Sequence, residues 1–470
     1  MSASIIKKIT LLLLLATAGV LSSCIFLPSD DEYEITNALY GIGTGTYGAK
    51  RGMCYEGMNS AEMTALASGT VTWAYNWTED PYRKNDSSVD TQIGPGKSLE
   101  FVPMVWGGSF DEAKLRSYLD AHAGVKYLLG FNEPMMTNTY GGCALTPAEA
   151  AALWPSVEQI ADDYDLSLVS PALTYGFEEI GGTVYGTPES WMDAFIEAYK
   201  TANGRNPRFD YLALHSYMDY PSAVLGFCDR YAAMYGKKIF LTEFCAWSAD
   251  ESPHLSLSGQ ITTMTQKIEA LDQDDNVAGY AWFMSHGSVS SVPYNSVFQS
   301  YDGDGSLTEL GKIYCYMSDH DTGRWYAAGE HIPAASYVSS SNYNTGVGTN
   351  ASDGLRYNTG LNIGCSTDGG GETVLELGTF TSGRFANYQI TADKAGTYTL
   401  TLRYLSDDEQ KFAAFVNGSE VGSSRLSSTG SSWKTASFSV DLAAGQQILQ
   451  LASAGGADTV KLGWLKIDGQ

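Results

Sequence analysis

Between Lys50 and Asp319 the chain alternates strand-like and helix-like runs eight times, and this rhythm restricts its fold more than any other feature. The strand-like runs are Lys50 to Glu56, Thr70 to Trp77, Glu100 to Trp106, Tyr127 to Glu133, Ser167 to Thr174, Tyr211 to Met218, Lys238 to Phe244 and Val277 to Met284. Between them lie amphipathic stretches such as Asp111 to Ala123, Thr146 to Tyr164, Pro188 to Ala202 and Leu257 to Leu271. A strand followed by a helix, repeated, builds a parallel sheet covered by helices. Eight such units in about 270 residues is the size of an α/β (β/α)8 TIM barrel, which keeps its active site at the C-terminal ends of its strands.

The texture changes near residue 330. Gly, Ser and Thr dominate, with short alternating runs such as GTYTLTLRYL and QQILQLASA, and this predicts an all-β sandwich (jelly-roll) over 330–470 after a catalytic domain over 48–320. At the other end, Lys7 and Lys8 precede an apolar run from Ile9 to Leu21 that is too short to span a bilayer. That run closes on Leu21-Ser22-Ser23-Cys24, which resembles the lipobox of bacterial lipoproteins. Residues 1–24 therefore read as a lipoprotein signal, Cys24 as the lipid attachment site and 25–47 as a tether. The expected location is the outer membrane or cell surface.

Lysine and arginine total 28 against 53 aspartate and glutamate, so phosphate backbones should be repelled and nucleic acid is excluded as a partner. The six cysteines after Cys24 permit disulfides in an exported protein, but they allow 15 pairings among which the sequence does not choose. No Cys/His spacing suggests a metal, and neither a metal nor another cofactor is expected. The chain is expected to be a monomer.

Two carboxylates carry the chemistry. Glu133 closes the fourth strand-like run in Gly130-Phe131-Asn132-Glu133-Pro134, and Glu243 closes the seventh in Leu241-Thr242-Glu243-Phe244. In a closed barrel these strand ends face each other across one cleft, where two carboxyl groups can divide the acid and nucleophile roles at a glycosidic bond. His215 and Tyr217 end the neighbouring sixth run and are expected to donate hydrogen bonds to Glu243. Trp77, Trp106 and Trp282 lie at or near the ends of the second, third and eighth runs, as candidate stacking walls for sugar rings.

These residues carry a family resemblance. NEP followed at a distance by TEF resembles the clan A retaining glycosidases. The ordered series TVTWAYNWTED, EFVPMVWG, YLLGFNEP, LTPAEAAALW, VSPALT, YLALHSY, LTEF and YAWF, spread from about Lys50 to Met317, resembles glycoside hydrolase family 128. The resemblance implies an endo-β-1,3-glucanase that acts with retention on β-glucan. It makes Glu133 the acid/base, Glu243 the nucleophile and Asn132 a hydrogen-bond partner of the sugar 2-hydroxyl.

The C-terminal region resembles carbohydrate-binding module family 6 through Ala335-Ser336-Tyr337, Gly396 to Leu400, Ser428 to Trp433 and Leu462 to Leu465. Trp433 matches one aromatic of that family's sugar clamp. Lys461 stands where the family usually has a ligand-binding asparagine, and Pro333-Ala334-Ala335 where it has a calcium-binding Glu-Ala-Glu. Two other readings of the whole chain stay open: a retaining glycosidase on another β-glucan, and a non-catalytic glycan-binding lipoprotein.

If Cys24 is the anchor, Cys24→Ala should abolish lipid labelling and release a soluble or unprocessed protein. Metabolic labelling with a fatty-acid probe, followed by membrane fractionation, checks this.

Overall fold

The computed structural model describes residues 49–82, 87–247, 256–287, 292, 294–341, 361–368, 373–378, 380, 383–454 and 460–469. The signal, the tether and Cys24 lie outside the described residues. The described residues divide into two compact units, one within Thr44–Gly323 with Ala351–Glu376, the other within Arg324–Asn350 with Leu377–Gln470.

The first unit is mixed α/β. Its strands are β1 (Arg51–Cys54), β2 (Trp73–Tyr75), β3 (Glu100–Phe101), β4 (Tyr127–Leu128), β5 (Ser167–Leu168), β6 (Leu212–Ser216), β7 (Ile239–Phe244) and β8 (Val277–Phe283). Six of them form a parallel sheet in the order β3-β2-β1-β8-β7-β6, while β4 and β5 pair in parallel separately. Isolated parallel bridges at Met104–Leu129, Val169–Tyr211 and Leu173–Leu214 continue the pairing on both sides of β4 and β5. Several strands are shorter than the sequence runs that predict them. Their C-terminal parts continue as extended chain held by single bridges, as at Asn132–Ala172.

Helices α1 (Ser60–Ala67), α2 (Glu112–Ala121), α3 (Pro147–Asp163), α4 (Pro188–Asn203), α5 (Pro221–Tyr235), α6 (Leu257–Gln273) and α7 (Glu309–Tyr316) occupy the intervening sequence. Their boundaries follow local chemistry. Thr146 caps α3 by accepting from the Glu149 amide while Glu149 reaches back to the Thr146 amide, and Pro147 supplies the preset φ of the first turn. One face of α3 then buries Ala150, Ala151, Trp154, Val157, Ile160 and Ala161. Inside the unit, Cys54, Tyr75, Met104, Leu129, Val169, Ala213, Phe240 and Ala281 form one apolar cluster, with a residue from each strand or its extension.

A buried polar knot joins the first strand of this unit to its last helix and the segment after it. Arg51, 1% exposed at the start of β1, donates to the carbonyls of Tyr314 and Met317 and faces Asp272 at 3.4 Å. Asp272 also accepts from Tyr280 at 2.6 Å and pairs with His320 at 2.7 Å.

The second unit is all-β. In one sheet Tyr326–Ala327, Phe385–Ala392, Gly445–Ser453, Gln410–Val416 and Ser419–Leu426 follow in that order, with Ser339–Ser340 also on Phe385–Ala392. In the other, Lys461–Gly469 pairs with both Gly396–Leu405 and His331–Pro333, and Gly396–Leu405 pairs with Lys434–Leu442. Period-2 burial in Gly396–Leu405 turns Tyr398, Leu400, Leu402 and Tyr404 inward, as the alternating sequence requires.

Disulfides are not formed among the described residues: Cys54, Cys143, Cys228, Cys245, Cys315 and Cys365 are free thiols. Cys365 sits with its sulfur 3.9 Å from the Glu309 carbonyl.

Arg51→Met should cost about 3–5 kcal/mol, because it leaves the buried Asp272 carboxylate without its guanidinium partner. Urea unfolding of the variant against the wild type measures the difference.

Candidate active site

Glu133 lies five residues beyond β4, held by backbone on both sides. The Asn132 amide donates to the Trp106 carbonyl at 2.8 Å, and the Glu133 amide to the Ala172 carbonyl at 3.1 Å. Glu133 itself takes a φ of 39°, which turns its side chain out of strand alternation. Gly142 packs against this turn so closely that a Cβ there would stand 2.5 Å from the Glu133 carbonyl oxygen. Glu243, by contrast, lies within β7, and the pairing of β6 with β7 sets it directly beside His215.

One carboxylate oxygen of each glutamate and one ring nitrogen of His215 lie within 4.8 Å of one another. All three residues are buried, at 7%, 4% and 1% exposure for Glu133, Glu243 and His215. His215 Nδ1 is 2.7 Å from Glu133 Oε1 and 3.4 Å from Glu243 Oε2. The sequence reading gave His215 to Glu243, and the structure corrects this: its short bond is to Glu133. The pairing register shifts by one residue between Leu214 and His215, where the strand meets Glu243.

Glu243 is instead surrounded by other donors. Trp77 Nε1 donates to Oε1 at 2.8 Å, Tyr217 donates to Oε2, and the Tyr75 hydroxyl is 3.3 Å from Oε1. Burial pushes the Glu243 carboxyl above its usual range, and Glu133 adds to that rise; His215, Tyr217 and Trp77 pull it back down. Burial also holds the Tyr75 and Tyr217 hydroxyls well above the usual tyrosine value, so both remain donors. For His215 burial acts to lower the pKa, but the charges of Glu243 and Glu133 outweigh it and raise the imidazole. Among the described residues this trio is the one group whose donor atoms are close enough to share a metal ion. The hydrogens of Trp77 and Tyr217 already occupy the Glu243 oxygens.

Asn132, 3% exposed, donates through Nδ2 to the Gly141 carbonyl at 2.9 Å, and its buried Oδ1 has no partner among the described residues. Trp77 and Trp106 are half-buried over the inner apolar cluster. Trp282 is a correction: it is 0% exposed and donates to the Asn295 carbonyl at 2.8 Å, so it packs the core and offers no face to a sugar. Side chains along a strand alternate, and this one is turned away from the cleft. Trp433 is half-buried immediately before Lys434–Leu442 in the second unit.

Two aromatic residues escape the sequence reading. Tyr75 shares the i, i+2 spacing of Trp73 and Trp77 and could have been placed by that alternation. Trp247, 44% exposed, donates its amide to the Tyr217 carbonyl at 3.1 Å and meets the Tyr217 ring edge-on. Its position four residues after Glu243 is the only signal.

A family model described as the glycosyl hydrolase catalytic core matches residues 52–314. The chain belongs to this family. Among solved structures, this glycosyl hydrolase is similar to a GH128 (subgroup II) endo-β-1,3-glucanase from Pseudomonas viridiflava, at 35% identity over 57% of this chain and 97% of the other, with a TM-score of 0.49. A GH128 (subgroup II) endo-β-1,3-glucanase from Sorangium cellulosum is 32% identical over 57% of this chain and 97% of the other, with a TM-score of 0.45. A curated relative, alkali-sensitive linkage protein 1 of Schizosaccharomyces pombe, is 27% identical over 274 residues, which is 56% of this chain and 44% of the relative. The glycosyl hydrolase thus spans less than half of that relative's length.

Trp77→Phe keeps a ring but removes the donor to Glu243 Oε1. A hydrogen bond to a charged group contributes about 1.5–3 kcal/mol, so kcat should fall roughly 10- to 100-fold. Trp282→Phe should instead lower the melting temperature and leave KM unchanged. Steady-state kinetics and thermal melts of both variants separate the two roles.

Proposed function

We propose that the chain is a retaining endo-β-1,3-glucanase of glycoside hydrolase family 128, with Glu133 as acid/base and Glu243 as nucleophile. The observation that carries this reading is that the two carboxyl groups face one another, with an oxygen of each within 4.8 Å of the other. Retaining glycosidases hold theirs about 5–5.5 Å apart, whereas inverting ones need about 6.5–9.5 Å to admit a water. The β-1,3 linkage and internal cleavage rest on the two bacterial relatives, each named an endo-β-1,3-glucanase and aligned over nearly its whole length. The parallel pairings are read as a (β/α)8 barrel, with both glutamates at its C-terminal rim.

In the first step Glu243 attacks the anomeric carbon while the bond to the leaving oxygen breaks and Glu133 supplies that oxygen with a proton. The proton between His215 Nδ1 and Glu133 Oε1 is the one at hand. In the second step Glu133 takes a proton from water, the water oxygen bonds to the anomeric carbon, and Glu243 leaves as a carboxylate. Trp77, Tyr217 and Tyr75 stabilise that carboxylate, while the open Asn132 Oδ1 accepts from a sugar hydroxyl and the half-buried faces of Trp77 and Trp106 border the ring. The all-β unit is read as a sandwich resembling carbohydrate-binding module family 6, with Trp433 toward glycan, and Cys24 as the lipid anchor of a surface protein.

The pair is tested with azide on an activated aryl β-glucoside of laminari-oligosaccharide. Glu133→Ala should lose most activity on laminarin, little on the activated substrate, and yield a β-glycosyl azide. Glu243→Ala should be inactive on both and yield the α-azide. Exchanged products would reverse the roles, and wild-type activity in either variant would remove that residue from the mechanism.

A further inference from the structure

Helix α6 carries several buried polar side chains that the chemistry above does not use, and two of them, Gln260 and Lys267, bind backbone just beyond the site strands. Gln260, 0% exposed, grips Ala246 from both directions: its Oε1 accepts from the Ala246 amide at 3.2 Å and its Nε2 donates to the Ala246 carbonyl at 3.0 Å. Two turns along the same helix, Lys267, 1% exposed, donates Nζ to the Met218 carbonyl at 2.6 Å and to the Cys245 carbonyl at 3.2 Å. Met218 directly follows Tyr217, and Cys245 is two residues beyond Glu243. The Trp247 amide closes the same structure by bonding the Tyr217 carbonyl.

A buried ammonium is costly, and this one forms no close ion pair among the contacts described; backbone carbonyls take its hydrogens. A methionine would fill the same space without that cost. The position therefore calls for a reason in the strand ends that Lys267 joins. We propose that Lys267 is a positioning residue of the hydrolytic reaction, clamping the ends of β6 and β7 together so that the Tyr217 hydroxyl stays on Glu243 while the nucleophile attacks and leaves. The proposal rests on Glu243 being the nucleophile. The clamp acts through backbone: charge-assisted bonds are roughly twice as strong as neutral ones, and a shift of about 1 Å in a reacting group can cost roughly 100-fold in rate.

The clamp also has a pH signature. The titratable groups facing Lys267 are the Cys245 thiol just after β7 and Asp219 from the segment after β6, and burial raises the thiol. Burial lowers Lys267 to about 8, against the raising influence of Cys245 and Asp219. In the unfolded chain a lysine titrates near about 10.4. Between these values the unfolded state binds more protons, so Lys267 makes the folded protein relatively more stable as pH rises through that window.

Lys267→Met and Lys267→Arg are compared with the wild type, folding being checked by circular dichroism. Lys267→Met should lower kcat roughly 10- to 100-fold, with KM within about threefold. The loss should be equal on laminarin and on 2,4-dinitrophenyl β-laminaritrioside, as expected of a misplaced nucleophile and not of a lost acid. Lys267→Arg, if folded, should recover part of kcat. The melting-temperature gap between wild type and Lys267→Met should move in favour of the wild type from pH 8 to pH 10. Wild-type kcat in Lys267→Met, a loss confined to KM, or a loss confined to laminarin would overturn the proposal. If the wild type cleaves no β-glucan, the proposed function falls, and the melting gap then judges the clamp: a gap constant with pH overturns it.

Discussion

Two buried carboxyl groups with an oxygen of each within 4.8 Å of the other repel when both are ionised, and His215 lies between them, within reach of both. Its Nδ1 reaches both glutamates, more closely Glu133, and their combined field raises the imidazole despite full burial. The two environments differ: Glu243 accepts from Trp77 and Tyr217, which pull its carboxyl down against burial, while the short bond of Glu133 is to His215.

The pairing of β6 with β7 is the structural expression of this electrostatic need. His215 and Glu243 are register partners, so their separation is fixed by strand spacing and not by flexible side chains. Glu133 reaches the same place by a different route, at a positive φ anchored by the Ala172 carbonyl and backed by Gly142. A strand residue and a turn residue thus meet, and the strain of the turn is held by backbone hydrogen bonds on both sides. Outside the strands, Gln260 and Lys267 of α6 grip the backbone just beyond Glu243 and Tyr217, so the helix layer contributes polar contacts as well as apolar burial.

Much of the helical layout was legible before any coordinates. Thr146, Pro147 and Glu149 announce the start of α3, Asp111 caps α2 at the position its spacing indicates, and Leu257 opens α6 where the amphipathic stretch begins. The strands were legible as runs but not as lengths. Only two residues of the run Tyr127 to Glu133 pair as β4, because the residues that follow leave regular pairing to turn Glu133 into the site. Trp77 and Trp282 have the same residue type and similar places in their runs, yet one hydrogen-bonds Glu243 and the other is sealed in the core.

The sequence by itself determined the alternation of strands and helices, the change to an all-β texture, and the two motifs that hold Glu133 and Glu243, because periodicity, caps and short motifs are local. Tertiary structure alone decided that His215 pairs with Glu133, that Tyr75 and Trp77 reach Glu243 across more than 160 residues, and that Lys267 is buried against strand-end carbonyls. Those contacts depend on strand register and on which face each side chain takes. A shift of one residue exchanges the faces, and nothing within a single run of sequence fixes it.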